Sequence, residues 1–248
     1  MAVRYERIGA ASVLTIDRPE RRNAVDGATA AELLAGYRKF EADDDAKVLV
    51  VTGAGGEAFV AGADLKAMDN PVMAEEGPMG FTRLQSPKPT IAAIDGWCVA
   101  GGLEIACWCD IRVAGEGSTF GCLERRWGVP LIDGGTVRLP KIVGLGRALD
   151  LILTARTVGA AEAQAIGLVN YVAPKGGALT LALELAERIA AFPWNCVISD
   201  RASAYQSLDK PIDVALEIEA KLGRGVVVEA RDGAMRFASG EGRGGVVR

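Results

Sequence analysis

Two glutamates are the residues of this chain best suited to transfer protons. Glu104 follows the run AGGL at residues 100–103, and Glu124 lies twenty positions further on, after TFGCL at residues 119–123. A third segment, AGADL at residues 61–65, precedes both. Small residues allow backbone N–H groups to approach a ligand oxygen, and two carboxylates can act as general acid and general base. The pattern predicts proton transfer beside a carbonyl group.

The chain contains no histidine. This excludes Ser-His-Asp and Cys-His nucleophile systems and zinc sites that use histidine ligands. Cys107 and Cys109 have no second cysteine pair with which to complete a metal site, so we expect no bound metal. General acid–base chemistry therefore falls to the other titratable side chains, among which carboxylates come first.

Composition indicates a globular protein with a large core. Half of the 248 residues are hydrophobic, which is enough for one main domain. The net charge of −4 provides no basic field for nucleic acid, and no stretch approaches the ~20 apolar residues of a membrane span. Five cysteines and the absence of a signal-peptide pattern favour reduced, buried thiols. We expect a cytoplasmic protein that binds neither nucleic acid nor membrane.

The first half of the chain alternates strands, turns and helices, which is typical of an α/β core. The hydrophobic pattern predicts a hairpin, a helix, two buried strands that end at glycine turns, a second helix and a further strand, at residues 3–8 with 12–17, 29–41, 47–52, 89–94, 102–109 and 111–114. Residues 69–81 match neither pattern and contain two methionines. They form either an ordinary long loop or a lid over an apolar pocket.

The second half is mainly helical. Its pattern predicts one strand at 168–172 and six helices, at residues 136–143, 147–154, 160–166, 179–191, 196–208 and 212–222. Pro193 separates a core at residues 1–192 from a helical region at 193–248. The glycine-rich end of the chain, from residue 240, is predicted to be mobile.

Six segments, taken in order, strongly resemble the enoyl-CoA hydratase/isomerase (crotonase) superfamily over almost the whole chain. They are DRPERRNA at 17–24, AGADL at 61–65, KPTIAAIDG at 88–96 with AGGLE at 100–104, GGTVRLP at 134–140, ILTAR at 152–156 and AIGLVN at 165–170. The resemblance implies an α/β fold, a crotonase-like spiral of ββα units with a C-terminal helical trimerisation region. It also implies a homotrimer or a dimer of trimers and a coenzyme A thioester as substrate, with no cofactor beyond that coenzyme.

The resemblance also assigns roles to the residues singled out first. The N–H groups of Ala63 and Gly101 form an oxyanion hole for the thioester oxygen, and Glu104 and Glu124 match the carboxylate pair of hydratases. The alternative for Glu104 is a solvated helix face, which its apolar neighbours disfavour. The alternative for Glu124 is an exposed charged turn.

The same resemblance implies which residues bind the coenzyme A part of the substrate. Arg21 and Arg22 correspond to residues that contact phosphates, although a solvated loop would also account for them. The other matched positions lie along the adenine and pantetheine path and are Ala24, Ala61, Asp64 and Leu65.

The chain departs from the family pattern near the second glutamate. Residues 122–123 are Cys-Leu where hydratases have Gln-Pro, and Arg125 and Arg126 are expected to lower the pKa of Glu124. Asp133 lies near the position at which some isomerases of the family have an additional catalytic carboxylate. Leu131 and Ile132 are expected to reshape the acyl pocket.

These observations predict an enoyl-CoA hydratase that adds water syn to a trans-2-enoyl-CoA and yields 3-hydroxyacyl-CoA, as in the degradation of fatty acids or related acyl-CoA compounds. The alternatives are an enoyl-CoA isomerase of the same fold and a catalytically silent acyl-CoA-binding protein.

Overall fold

The computed structural model of the protein describes residues 1–240. The predicted mobile tail lies, apart from Gly240, outside these residues. The chain divides into a first compact unit, Met1–Glu187, and a second that begins at Arg188. The boundary predicted from the sequence, after residue 192, lies a few residues further along.

The described residues contain two sheets. The strands are β1 (Val3–Ile8), β2 (Ala11–Ile16), β3 (Val48–Gly53), β4 (Ala58–Val60), β5 (Thr90–Ile94), β6 (Trp97–Val99), β7 (Ile111–Gly115), β8 (Thr119–Gly121), β9 (Val158–Gly159) and β10 (Tyr171–Ala173). The larger sheet has the order β1-β2-β3-β5-β7-β10, and the smaller has the order β4-β6-β8-β9. Each of β3, β5 and β7 leads within a few residues into a short strand of the smaller sheet. The predicted α/β fold of ββα units is confirmed.

Strands β2, β3 and β5 of the larger sheet consist mostly of apolar residues. Strands β1 and β2 form the predicted antiparallel hairpin, and the neighbouring pairs from β2 onward are parallel. Residues of β2, β3 and β5 are almost all buried, as expected for parallel strands covered on both faces. The short strands of the smaller sheet were not predicted from the sequence, because two or three residues are too few to show a periodic pattern.

The helices of the described residues are α1 (Gly27–Ala42), α2 (Gly101–Trp108), α3 (Gly135–Val143), α4 (Leu145–Thr154), α5 (Ala160–Ala165), α6 (Ala178–Ala190), α7 (Trp194–Ser207), α8 (Ile212–Arg224) and α9 (Val227–Ala238). All eight predicted helices are present. Helix α9 was not predicted, because Gly225 and Gly233 and the valine run at 226–228 disfavour a helix locally. The predicted strand at 168–172 begins only at Tyr171, because Gly167 with φ +82° turns the chain after α5.

An aromatic cluster fixes the end of the long 61–89 segment. The ring of Phe81 stacks on Tyr37 of α1 at 5.8 Å between centroids and meets Trp108 of α2 edge-on at 4.6 Å. The Trp108 indole N–H donates to the carbonyl of Leu84 at 2.7 Å. The segment contains no helix or strand. Its end nevertheless packs in the core, close to α2, the helix that carries Glu104.

In the part of the chain that the structure describes, no helix is both long enough and apolar enough to cross a bilayer.

Candidate active site

A cavity of about 260 Å³ in the first unit contains the predicted reactive groups. Its walls are mostly apolar, and three carboxyl side chains, Glu104, Glu124 and Asp133, line it together with Ala63 and Gly101. The fold thus brings together two glycine-containing turns and the 3-10 helix of Glu124. Such a site, apolar with a few polar groups that converge on one point, is typical of a small-molecule pocket.

Glu104 lies in the first turn of α2 and is 3% exposed. Its Oε1 accepts hydrogen bonds from the backbone N–H groups of Asp133 at 2.9 Å and Gly135 at 2.8 Å. Burial raises the pKa of Glu104 from 4.5 to about 8, because the ionised form loses its hydration and the two N–H donors only partly compensate. Glu104 is therefore largely protonated at neutral pH in the free protein.

Glu124 lies in the 3-10 helix Leu123–Trp127 and is also buried. Within residues 1–240 neither of its carboxyl oxygens has a hydrogen-bond partner. Burial raises the pKa of Glu124, so the expectation that the following arginines would lower it is wrong. Arg125 does lower this pKa, but by less than burial raises it. The guanidinium groups of Arg125 and Arg126 donate to the carbonyls of Val129 and Ala155.

The backbone around Ala63 and Gly101 is arranged by two close turns. Ala100, which precedes α2, has φ 52° and ψ −130°, a strained conformation for a residue other than glycine. A Cβ on Gly62 would lie 3.1 Å from the Gly101 nitrogen, so the two turns touch. Gly101 is the first residue of α2, where a backbone N–H has no acceptor within the helix. Among the described residues, neither the N–H of Ala63 nor that of Gly101 donates a backbone hydrogen bond in the turns and loops.

Of the residues matched to the coenzyme A path, the structure brings two to the cavity. Ala61 and Leu65 line it. Asp64 does not: its carboxylate pairs with the Arg18 guanidinium at 3.1 Å. Ala24 is buried, whereas Arg21 and Arg22 are exposed, with the Arg22 Nε 3.0 Å from Glu57.

Three comparisons place these features among known proteins. A sequence model of the family described as enoyl-CoA hydratase/isomerase matches residues 6–239. Enoyl-CoA hydratase EchA19 of Mycobacterium tuberculosis is 36% identical over 94% of this chain and 92% of its own length. The short-chain-enoyl-CoA hydratase of Clostridium acetobutylicum is 36% identical over 87% of this chain and 85% of its own. The crystal structure of an enoyl-CoA hydratase from M. tuberculosis superposes with a TM-score of 0.91 at 34% identity and covers 96% of both chains.

This chain belongs to the enoyl-CoA hydratase/isomerase family. The resemblance and the crotonase-type fold predicted from the sequence are confirmed. Within this family member, the cavity is further lined by residues that sequence reasoning did not assign to a site. Two of them are Met79, in the 69–81 loop, and Trp127, which is 72% exposed and ends the 3-10 helix that carries Glu124.

The loop at 69–81 contributes Asn70, Val72, Pro78 and Met79 to the cavity wall, so it is a loop at the pocket. Ile132 also lines the cavity, whereas Leu131 packs against the core. The sequence feature that indicated a loop at the pocket was the combination of methionines and prolines after the AGADL turn. Arg18 belongs to the 17–24 segment, but its ion pairs with Asp26 and Asp64, the latter in the AGADL turn, were not predicted from the sequence and depend on the tertiary structure.

Proposed function

We propose that this member of the family is an enoyl-CoA hydratase, which adds water syn across the double bond of a trans-2-enoyl-CoA and yields 3-hydroxyacyl-CoA. The observation that carries the proposal is the presence of two buried carboxyl groups, Glu104 and Glu124, in one apolar cavity with the oxyanion-hole candidates. The hydratase names of the similar proteins support the same activity.

The N–H groups of Ala63 and Gly101 bind the thioester oxygen in this proposal. Negative charge develops on that oxygen as hydroxide adds to C3 and the thioester becomes an enolate. Donors that are already fixed by the turns stabilise this charge without reorganisation, and one such donor is typically worth about 3–4 kcal/mol in the transition state. The positive end of the α2 dipole lies at Gly101 and acts in the same direction.

Glu104 and Glu124 share the proton transfers. One carboxylate accepts a proton from water as the water oxygen bonds to C3, and the other carboxyl donates its proton to C2. The pair needs one proton between its two members, and burial, which raises the pKa of both groups, favours retention of that proton at neutral pH. Syn addition requires both carboxyls to reach the same face of the double bond, and both line the same cavity.

The apolar walls bind the acyl chain and exclude bulk water from the enolate. The 69–81 loop supplies part of these walls and acts as a lid in this proposal. Arg21 and Arg22 remain candidates for contacts with the nucleotide phosphates, since both are exposed. We further propose that the protein acts as a homotrimer or a dimer of trimers without any cofactor.

The proposal is tested by following the loss of the conjugated enoyl-thioester absorbance with trans-2-enoyl-CoA substrates from four to sixteen carbons. We expect turnover with at least one chain length and formation of the 3-hydroxyacyl-CoA. Calorimetric binding of acyl-CoA by folded protein without conversion of any thioester would instead identify a silent binding protein. Double-bond migration without hydration would identify an isomerase.

A further inference from the structure

Asp133 has a side chain that the proton transfers of the proposed hydration do not require. It is 2% exposed, lies in the cavity wall and directly follows the apolar Ile132. We propose that Asp133 is a positioning residue, which anchors the end of the lid loop and thereby holds Met79 against the oxyanion hole. This inference rests on the proposed function.

One oxygen of Asp133 makes the anchoring contacts. Its Oδ1 accepts hydrogen bonds from the Met79 backbone N–H at 3.0 Å and from the Thr82 hydroxyl. Gly77 and Gly80, on either side of Met79, have φ near +90°. A Cβ on Gly77 would lie 2.6 Å from the Thr82 hydroxyl oxygen and 3.1 Å from Asp133 Oδ1. The chain can turn this closely around the carboxylate because glycine adopts such φ values without strain.

Met79 transmits the anchoring to the oxyanion hole. Its side chain is buried, and a Cβ on Gly101 would lie 2.6 Å from the Met79 methyl carbon and 3.1 Å from its sulfur. The thioether therefore lies directly against Gly101, whose N–H is one of the two proposed oxyanion donors. If the Met79 backbone is released, this wall loses its support, and both water exclusion and the position of the thioester change.

The backbone of Asp133 contacts Glu104, one of the two glutamates proposed to transfer protons. Its N–H donates to Glu104 Oε1 at 2.9 Å. The Arg138 guanidinium donates to the carbonyls of Asp133 at 2.9 Å and Thr82 at 2.7 Å. Asp133 thus contacts both Glu104, which takes part in the proposed proton transfers, and the 69–81 loop, whose Met79 packs against the proposed oxyanion hole.

The contacts define what the side chain must supply. Both partners of Oδ1 are donors, so Asp133 acts as a hydrogen-bond acceptor, and an asparagine amide oxygen can replace it. A carboxylate that transferred protons, as in the isomerase alternative, could not be replaced in this way. The two roles therefore make opposite demands on Asp133→Asn.

The test compares Asp133→Asn, Asp133→Ala and Thr82→Val with the wild-type protein. Thr180→Val, at an exposed position of α6, is the matched control. Steady-state hydration gives kcat and KM. The red shift of a conjugated dienoyl-CoA on binding reports polarisation of the thioester carbonyl and requires no turnover. Urea unfolding checks that each variant is folded.

We expect Asp133→Asn to keep kcat within about threefold of the wild type and to keep the red shift. Asp133→Ala and Thr82→Val should lower kcat at least about tenfold, which corresponds to about 1.4 kcal/mol, and should shrink the red shift, with a smaller change in KM. Thr180→Val should change nothing. Thr82→Val keeps the test decisive if Asp133→Ala does not fold.

A loss of activity in Asp133→Asn as large as in Asp133→Ala would overturn the inference and favour proton transfer by Asp133. An unchanged red shift in Thr82→Val would also overturn it. If the wild-type protein hydrates no enoyl-CoA, the proposed function fails, and the red shift on binding still decides whether Asp133 anchors the loop.

Discussion

Replacement of Glu104 by glutamine should stabilise the protein at alkaline pH while it abolishes most of the activity. The side chain is buried, and burial raises the pKa of Glu104 from 4.5 to about 8 in the folded protein. Glutamine has nearly the same shape, and its amide oxygen can accept the two hydrogen bonds that Oε1 receives from Asp133 and Gly135. Glutamine does not ionise, so the cost of burying a charge disappears.

The magnitude follows from the linkage between proton binding and folding. Between pH 4.5 and 8 the folded protein retains the Glu104 proton while the unfolded chain releases it, so Glu104 lowers the stability of the wild type relative to Glu104→Gln by about 1.4 kcal/mol per pH unit. The full shift amounts to about 5 kcal/mol in the free energy of unfolding, and it is reached above pH 8. At pH 5 the two proteins should differ by only about 1 kcal/mol.

The assay is urea unfolding of both proteins at one protein concentration across pH 5 to 9. The difference between the wild type and Glu104→Gln isolates Glu104, because the other buried carboxyl groups are common to both. Glu184→Gln, on the exposed face of α6, is the matched control and should give no pH-dependent difference. The activity of Glu104→Gln should fall by about 10²–10⁴, the usual contribution of a general acid or base.

A stability difference that stays constant from pH 5 to 9, or that favours the wild type at alkaline pH, would refute this reasoning. The first result would mean that Glu104 titrates alike in the folded and unfolded states. The second would mean that the N–H donors outweigh burial and hold the carboxylate ionised.

Glu124→Gln should lower kcat by about 10²–10⁴ without loss of stability, since no bond within the described residues is broken, and unchanged turnover would exclude Glu124 from the proton transfers. Arg18→Met should cost about 1–3 kcal/mol in urea unfolding, because it leaves the buried Asp64 and the partly exposed Asp26 without their shared guanidinium. The exposed Arg22→Met is its control, and equal losses in the two variants would contradict the ion-pair argument. Sedimentation equilibrium at micromolar concentration should give three or six subunits of 25.9 kDa, and a single-subunit mass would contradict the proposed assembly.

The sequence determined those parts of the protein that depend on near neighbours. The hairpin of β1 and β2, the buried strands β3 and β5 and the helix that carries Glu104 follow from the spacing of apolar residues and from the glycine turns that end them. The lack of histidine and the spacing of the two glutamates restricted the chemistry before any contact was known. The motif order in turn indicated the family.

Tertiary structure alone decided the contacts between distant segments. The short strands of the smaller sheet exist because longer strands place them side by side. The pKa of Glu124 depends on how deeply the fold buries it, which outweighs the arginine next to it in the sequence. Asp133 meets Met79 and Thr82 across more than fifty positions of chain, and it meets Glu104 across 29. A local pattern does not encode such separations, because burial and hydrogen bonding depend on which segments the completed core brings together.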